Sequence, residues 1–229
     1  MAKKHLKRLA APKTWQVKRK GLKFITKPVP GPHSLATGMP LSTLLKEILS
    51  YANTSKEVKK ILNTNNVKID GRIRKDFRFP VGVFDIIEFT SINENFRVIL
   101  NKKGKIDLIK IKKEEALLKP CKIIGKTMAR GKLQVNLFDG RNIFVNAGKY
   151  KVGDTVLLSL PDQKIIKHLE FGKNSTIFLT GGEHIGELGN VEDIIKDKVI
   201  YKSQKGELIE TSKKYAYVVG DSTLLVALE

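Results

Sequence analysis

A tight turn between two short segments of alternating apolar and basic residues limits most strongly how this chain can fold. Its centre is Asp70-Gly71, a dipeptide in which both residues readily take the positive φ that a two-residue hairpin turn requires. The apolar residues around the turn are Val67, Ile69 and Ile73, and the basic residues between them are Lys68, Arg72 and Arg74. Because side chains alternate along a strand, we predict a hairpin with an apolar face to bury and a basic face in solvent.

A short helix is predicted directly before this hairpin. The Thr54 hydroxyl can cap its first turn, and Glu57 follows three residues later, as a capping box requires. The helix has one apolar side and several basic sides: Val58, Ile61 and Leu62 recur on the first, and Lys56, Lys59 and Lys60 lie on the others. The sequence from Thr54 to Phe89 therefore predicts a small scaffold that presents clustered cations, which we interpret as an RNA-reading unit.

Positive charge is unevenly distributed along the 229 residues, which carry 43 Lys and Arg against 23 Asp and Glu, a net charge of +20. Residues 1–46 hold 11 basic and no acidic residues, and residues 47–95 hold 8 and 7. Residues 96–173 hold 18 and 7, whereas residues 174–229 hold 6 and 9. Such an excess, concentrated at the start and in the middle of the chain, predicts a polyanionic partner.

Residues 1–40 are expected to form an extended basic arm. Proline and glycine recur in its second half, and its apolar residues are too few to offset the entropy of ordering it alone. We therefore expect the arm to be disordered when free and to order on a partner. Trp15 lies among Lys13, Lys18, Arg19 and Lys20, so its ring could stack or wedge while the cations meet phosphates. The alternative interpretation is a targeting or solubilising tail.

Three further segments complete an α+β multidomain fold class. Residues 41–95 are predicted to hold two helices and the hairpin, and the first helix is indicated by the stripe Leu44, Leu45, Ile48 and Leu49. Residues 96–173 show short, closely spaced strands and a second hairpin signal at Asp139-Gly140, a pattern typical of a small sheet or barrel. Residues 174–229 contain short strands between glycines and predict another compact β unit.

Common catalytic and ligand-binding motifs do not match this sequence. His5, His33, His168 and His184 have no metal-ligand spacing with one another or with Cys121, and the glycine clusters fit neither a P-loop nor a dinucleotide-binding turn. The single cysteine excludes an internal disulfide framework and is expected to be a buried structural thiol. No apolar run approaches the roughly 20 residues of a membrane-spanning helix. We therefore expect no enzyme activity, cofactor, metal site, small-molecule substrate or membrane partner.

Several motifs, in order along the chain, closely resemble one family. They are the basic opening Lys3–Lys13 with Trp15, Gly31-Pro32-His33, Met39-Pro40-Leu41, Glu57–Ile61, Val67–Arg74, Pro80–Asp85, Lys126-Thr127, Leu137–Asn142, and Thr180-Gly181-Gly182 with Gly186, Gly189 and Val191. Together they resemble the S-four-e family of archaeal and eukaryotic small-subunit ribosomal proteins over nearly the whole chain. The chain stops soon after the last motif, which we expect of an archaeal member.

The resemblance implies four parts: a basic N-terminal arm, an S-four-type RNA-binding domain of two helices and a β-hairpin, a central β-rich domain and a C-terminal KOW-type small β-barrel. It implies a cytoplasmic, structural constituent of the small ribosomal subunit that binds rRNA, contacts neighbouring ribosomal proteins and supports subunit assembly and translation. Glu183 and Glu187 depart from the basic or neutral residues that the barrel loop often carries, so a protein-facing barrel stays open. The rival interpretations are an RNA-modifying enzyme with a similar RNA-binding domain and a KOW-bearing transcription factor.

Three clusters are predicted to contact RNA. In the arm, which we expect to thread between rRNA helices, they are Lys3, Lys4, His5, Lys7, Arg8, Lys13, Trp15, Lys18, Arg19 and Lys20. In the helix–hairpin unit they are Lys56, Lys59, Lys60, Lys68, Arg72, Arg74, Lys75 and Arg78. In the central sheet they are Lys126, Arg130, Lys132 and Arg141. Because RNA duplexes present few readable base edges, we expect shape and phosphate contacts to dominate.

Overall fold

A computed structural model describes residues 5–64, 66–129, 131–145, 149–221 and 223–228. The chain forms two compact units: the first comprises Met1–Ile99 and Lys105–Ala116, and the second comprises Leu100–Gly104 and Leu117–Glu229. Strands dominate both units. Within the described ranges, no helix combines the length and the apolar character needed to cross a membrane.

Helical structure is brief and lies mainly in the first unit. The segments are a 3₁₀ turn at Arg8–Ala10, helix α1 at Leu41–Thr43, a π-helical continuation at Leu44–Ile48, helix α2 at Ser55–Asn63 and a 3₁₀ turn at Glu115–Leu117. Three residues of the predicted apolar stripe lie on the π-helical continuation, where Leu44 and Leu45 are fully buried, and the fourth, Leu49, caps its C-terminal end. Helix α2 begins with the predicted capping box: the Thr54 hydroxyl accepts a hydrogen bond from the Glu57 backbone N–H, and the Glu57 carboxylate accepts one from the Thr54 N–H.

The strands of the N-terminal half form two pairs and one five-stranded sheet. They are β1 (Leu6–Lys7), β2 (Phe24–Ile25), β3 (Gly38–Pro40), β4 (Val67–Ile69), β5 (Arg72–Ile73), β6 (Pro80–Gly82), β7 (Ile86–Phe89), β8 (Glu94–Leu100) and β9 (Ile106–Ile111). Strand β1 pairs with β2, β3 pairs with β6, and the sheet has the order β5-β4-β7-β8-β9. Residues 96–111, expected at the start of the central domain, instead extend the hairpin's sheet, because β8 pairs with β7. The remaining predicted boundaries stay predictions.

The Asp70-Gly71 turn is confirmed, and both residues take positive φ, +51° and +73°. The Asp70 carboxylate also accepts a hydrogen bond of 3.0 Å from the Ile86 N–H, which ties the turn to β7. The predicted distribution of residues between the two faces is wrong, however. A two-residue turn places Ile69 opposite Arg72 and Lys68 opposite Ile73, so each basic residue shares a face with an apolar partner. Ile73 accordingly remains 47% exposed.

The described part of the N-terminal arm packs on the first unit, so the expectation of an arm that orders only on a partner is wrong. The Trp15 side chain is 1% exposed, and its indole N–H donates to the backbone carbonyls of Leu35 and Gly38. His33 is also buried and bonds Asp85 through Nε2 at 2.9 Å. These contacts are long-range, and an apolar residue count along the arm does not anticipate them.

The second unit contains two five-stranded antiparallel sheets. Their strands are β10 (Leu118–Ala129), β11 (Lys132–Leu137), β12 (Asn142–Val145), β13 (Thr155–Ser159), β14 (Ile165–Leu169), β15 (Thr176–Leu179), β16 (Leu188–Ile195), β17 (Lys198–Ser203), β18 (Leu208–Ser212) and β19 (Ala216–Gly220). The sheet orders are β12-β11-β10-β13-β14 and β18-β17-β16-β15-β19. The hairpin predicted around Asp139-Gly140 is confirmed as β11–β12. Cys121 is buried in the core of the first of these sheets, as expected for a structural thiol.

Hydrogen bonds of the Tyr217 and Lys122 side chains connect the two sheets of the second unit. The Tyr217 hydroxyl donates to the Pro120 carbonyl at 2.9 Å and accepts from the Lys122 N–H at 2.8 Å. The Lys122 ammonium donates to the carbonyls of Lys213, Lys214 and Ala216. Burial, with the nearby Lys213 charge, lowers the pKa of Lys122 to about 8.

The burial of Trp15 predicts the fluorescence of the free protein, since this is the only tryptophan in the sequence. Without RNA, its emission should be blue-shifted and poorly quenched by acrylamide, and both properties should disappear in denaturant. Emission at the wavelength of free tryptophan, with full quenching under native conditions, would show that the arm is not packed.

Lys122→Met should change how the free energy of unfolding depends on pH. Between about pH 8 and pH 10.5 the unfolded chain still binds the Lys122 proton that the folded chain has released, so this group adds stability as pH rises. Urea unfolding at several pH values should show the wild type gaining stability relative to Lys122→Met across that window. Lys205→Met, at an exposed turn, is the matched control and should show a constant difference. A constant difference for Lys122→Met would contradict the assignment.

Candidate RNA-binding surface

Exposed cations from α2, from β5 and from the segment after β5 lie on the first unit. Lys56, Lys59 and Lys60 are exposed on the helix, opposite the buried Val58 and Leu62. Arg72, Lys75 and Arg78 are also exposed, whereas Arg74 is partly buried. The capped helix thus buries its apolar side and leaves its lysines accessible, as its sequence predicts.

Two phenylalanine rings outside the predicted RNA-contacting set lie close to three of these cations. The Phe77 ring has the Lys59 ammonium 5.2 Å from its centroid and the Arg78 guanidinium carbon 5.8 Å from it. The Arg74 guanidinium carbon lies 4.4 Å from the centroid of Phe79. We call these five residues the cation–aromatic cluster. Cation–π attraction restrains long side chains without neutralising them, so the charges remain available to an anion. The alternation Phe77-Arg78-Phe79 was the sequence signal for it.

Lys68 is less available than the other cations of this unit. It lies opposite Glu88 across β4 and β7. Burial raises the pKa of the Glu88 carboxyl, while the Lys68 charge acts in the opposite direction. The lysine therefore already faces an acidic partner, and we expect it to contribute less to anion binding than Arg72 or Arg78.

The arm residues divide into structural and accessible groups. Arg8 is buried and forms an ion pair of 2.7 Å with Glu47, and the Arg19 guanidinium donates to the carbonyls of Ala11 and Pro12. Trp15 has no exposed ring face, so the structure does not support its predicted stacking role. The exposed arm residues of the predicted set are His5, Lys7, Lys13, Lys18 and Lys20. Lys3 and Lys4 lie outside the described residues.

The central sheet brings together fewer available cations than predicted. The Lys126 ammonium donates to the Tyr150 carbonyl at 2.6 Å, and Arg141 pairs with the buried carboxylate of Asp139 at 3.2 Å. Lys132 is exposed, and Arg130 lies outside the described residues. Of the described members of its predicted set, Lys126 and Lys132 are exposed, but the Lys126 ammonium is already hydrogen-bonded.

Three histidines bond carboxylates, which accounts for their positions. His33 contacts Asp85, the His168 ring lies 2.7 Å from Asp154, and His184 lies 3.3 Å from Glu187. Within the described ranges, no group of three or more His, Cys, Asp or Glu is arranged to hold a metal ion.

Known proteins match this chain along nearly its whole length. A family model described as Ribosomal family S4e matches residues 92–165, and a model of the RS4NT domain matches residues 2–36. The small ribosomal subunit protein eS4 of Methanococcus aeolicus is 39% identical over 99% of this chain and 98% of its own. The eS4 protein of Methanocella arvoryzae is 40% identical over 96% and 95%.

The fold agrees with these sequence matches. The crystal structure of the 30S ribosomal protein S4e from Thermoplasma acidophilum superposes with a TM-score of 0.71 at 28% identity, covering 81% of this chain and 96% of that one. The alignments with the two eS4 proteins, at about two-fifths identity, cover almost all of this chain and almost all of each relative. The resemblance inferred from the ordered motifs is confirmed, and the chain belongs to the ribosomal protein S4e family.

Proposed function

We propose that this chain is a structural constituent of the small ribosomal subunit in the cytoplasm, where it binds rRNA and supports subunit assembly and translation. The names of its relatives place those proteins in the small subunit. The observation that carries RNA binding to this chain is the cation–aromatic cluster beside the exposed lysines of α2. Its role is to bind and position RNA, with no chemical step assigned to any residue.

The helix–hairpin unit sets the orientation on RNA. Lys56, Lys59 and Lys60 lie on a helix whose opposite side is fixed in the core, so their backbone positions are rigid. The rings of Phe77 and Phe79 limit the rotamers of Lys59 and of two further cations, Arg74 and Arg78. This restraint reduces the entropy lost when the cations meet phosphates. A rigid set of charges fits the A-form backbone, whose shape rather than sequence is read on duplex RNA.

The arm and the central sheet each add further positive charge. Lys7, Lys13, Lys18 and Lys20 project from a folded arm, so they neutralise phosphates without a large ordering cost. Lys132 provides a cation on the central sheet. Lys126 and Arg141 contribute less to RNA binding, since the first donates to the Tyr150 carbonyl and the second pairs with the Asp139 carboxylate.

The C-terminal sheet is proposed to be a KOW-type small barrel that faces protein more than RNA. Residues 174–229 hold 6 basic and 9 acidic residues, so this segment would repel phosphates at close range. Neighbouring ribosomal proteins with basic surfaces are its expected partners.

Reversing Arg72 and Arg78 together should weaken binding to small-subunit rRNA by roughly tenfold or more at low salt, because two phosphate contacts become repulsive. Both side chains are exposed, so the fold should tolerate Arg72→Glu with Arg78→Glu. Lys202→Glu with Lys205→Glu makes the same charge change at exposed residues of the C-terminal sheet and should have a smaller effect. Filter-binding titrations measure both, and equal losses would contradict the proposed ranking of surfaces.

Salt should weaken the wild-type complex strongly. If about six phosphates are neutralised, the logarithm of the binding constant should fall against the logarithm of salt concentration with a slope of roughly −5, by analogy with duplex DNA. The Arg72→Glu, Arg78→Glu variant should show a slope smaller by about two. A wild-type affinity that hardly changes with salt would contradict the electrostatic account.

A further inference from the structure

An exposed aromatic ring lies on the outward face of strands β10–β12. Across the three strands, Thr127 pairs with Gln134 and Gln134 pairs with Phe144. In the next row, Asn136 pairs with Asn142. Residues paired directly across a sheet project from the same face, so these five side chains form one surface, which we call the amide face.

The amide face is distinct from the core of its sheet. The opposite face supplies Val135 and Leu137, each 1% exposed, and Ile123, which is fully buried. Phe144 is 54% exposed although its strand neighbours Ile143 and Val145 pack on that core. The ring therefore contributes little to the packing of the sheet and leaves apolar surface in contact with water.

Polar groups around Phe144 can recognise the edge of a nucleobase. Gln134 Nε2 donates to Asn136 Oδ1 at 3.0 Å, which orients both amides across the face. Side-chain amides carry both donors and acceptors, as base edges do. This hydrogen bond uses one donor and one acceptor of the pair, so both amides retain groups of each kind.

The charge of this surface is compatible with RNA. Strands β10, β11 and β12 contain no Asp or Glu, and the exposed Lys132 lies on the same face, opposite Ala129 in the register. The nearby Asp139 is 4% exposed and pairs with Lys119 at 3.1 Å, so its carboxylate is covered. A phosphate beside the amide face would thus meet a lysine and no exposed carboxylate from these strands.

We propose that Phe144 stacks on an unpaired base of the bound RNA, with Gln134 and Asn136 bonding the edge of that base and Lys132 meeting an adjacent phosphate. This inference rests on the proposed rRNA-binding function and adds a site for single-stranded RNA to it. An exposed ring on a sheet provides a stacking platform, since unstacked bases in loops and bulges expose both faces. Every base has such a face, so the site selects single strands more strongly than sequence.

The first test measures binding of the full chain to a labelled single-stranded RNA of about twelve nucleotides and to an RNA duplex. Phe144→Leu should weaken single-strand binding by roughly tenfold and duplex binding by less than about twofold, because it removes the ring while keeping an apolar side chain. Phe144→Tyr should bind like the wild type. Ile195→Ala, at a residue equally exposed on the C-terminal sheet, is the matched control and should have no effect.

The results separate this inference from the function on which it rests. If the wild type binds no RNA, both fail. If it binds small-subunit rRNA or duplex RNA but Phe144→Leu and the wild type bind single strands equally, or neither binds them, the stacking site alone is contradicted. Unchanged thermal unfolding of the variants shows that the comparison concerns binding rather than folding.

The second test identifies what covers the ring in the assembled subunit. A photoreactive phenylalanine analogue placed at position 144 should form an adduct with rRNA on irradiation. An adduct with a neighbouring protein instead would overturn the proposal, because it would show that the amide face is a protein contact.

Discussion

A net charge of +20 opposes folding, because like charges are brought together when a chain becomes compact. The structure reduces this repulsion by using some cations internally. Arg8 pairs with Glu47, the buried Lys119 pairs with Asp139, and Lys122 is surrounded by backbone carbonyls. The cations left in solvent are those that a polyanion can still neutralise. This division separates residues that maintain the fold from residues available for RNA.

Aromatic side chains contribute both to the stability of the fold and to the candidate RNA-binding surfaces. The buried Trp15 fixes the arm on the first unit through its ring and its two indole hydrogen bonds. Phe77 and Phe79 instead hold cations near the surface, and Phe144 remains exposed on a sheet. The arm is therefore already folded along its described length. Its proposed binding to RNA would avoid the ordering cost that an unfolded basic tail incurs.

Local features could be predicted from the sequence because their causes are local. The capping box of Thr54 and Glu57 and the Asp70-Gly71 turn depend on residues a few positions apart, and both are confirmed. The faces of the hairpin were predicted wrongly because strict alternation was carried through the turn, although a two-residue turn pairs Ile69 with Arg72. The pairing that a two-residue turn imposes could therefore have been predicted from the sequence.

Long-range contacts account for the other differences. Neither the ion pair of Arg8 with Glu47 nor the contact of Trp15 with Gly38 follows from the periodicity of the arm. The same limit applies to the candidate RNA-binding residues. Clusters of lysine and arginine could be identified from composition, but composition did not show which of these side chains are bonded to other groups of the protein. Lys126 and Arg141 have the same formal charge as Lys132, and only their neighbours in the fold distinguish them.

Sedimentation of the tagged full chain in a cell extract tests the central claim most directly. The protein should co-sediment with the small ribosomal subunit and move to the top of the gradient after ribonuclease treatment, since RNA is its proposed main contact. Co-purification with RNA polymerase, or sedimentation as a free protein without treatment, would contradict its assignment as an rRNA-binding constituent of the small subunit.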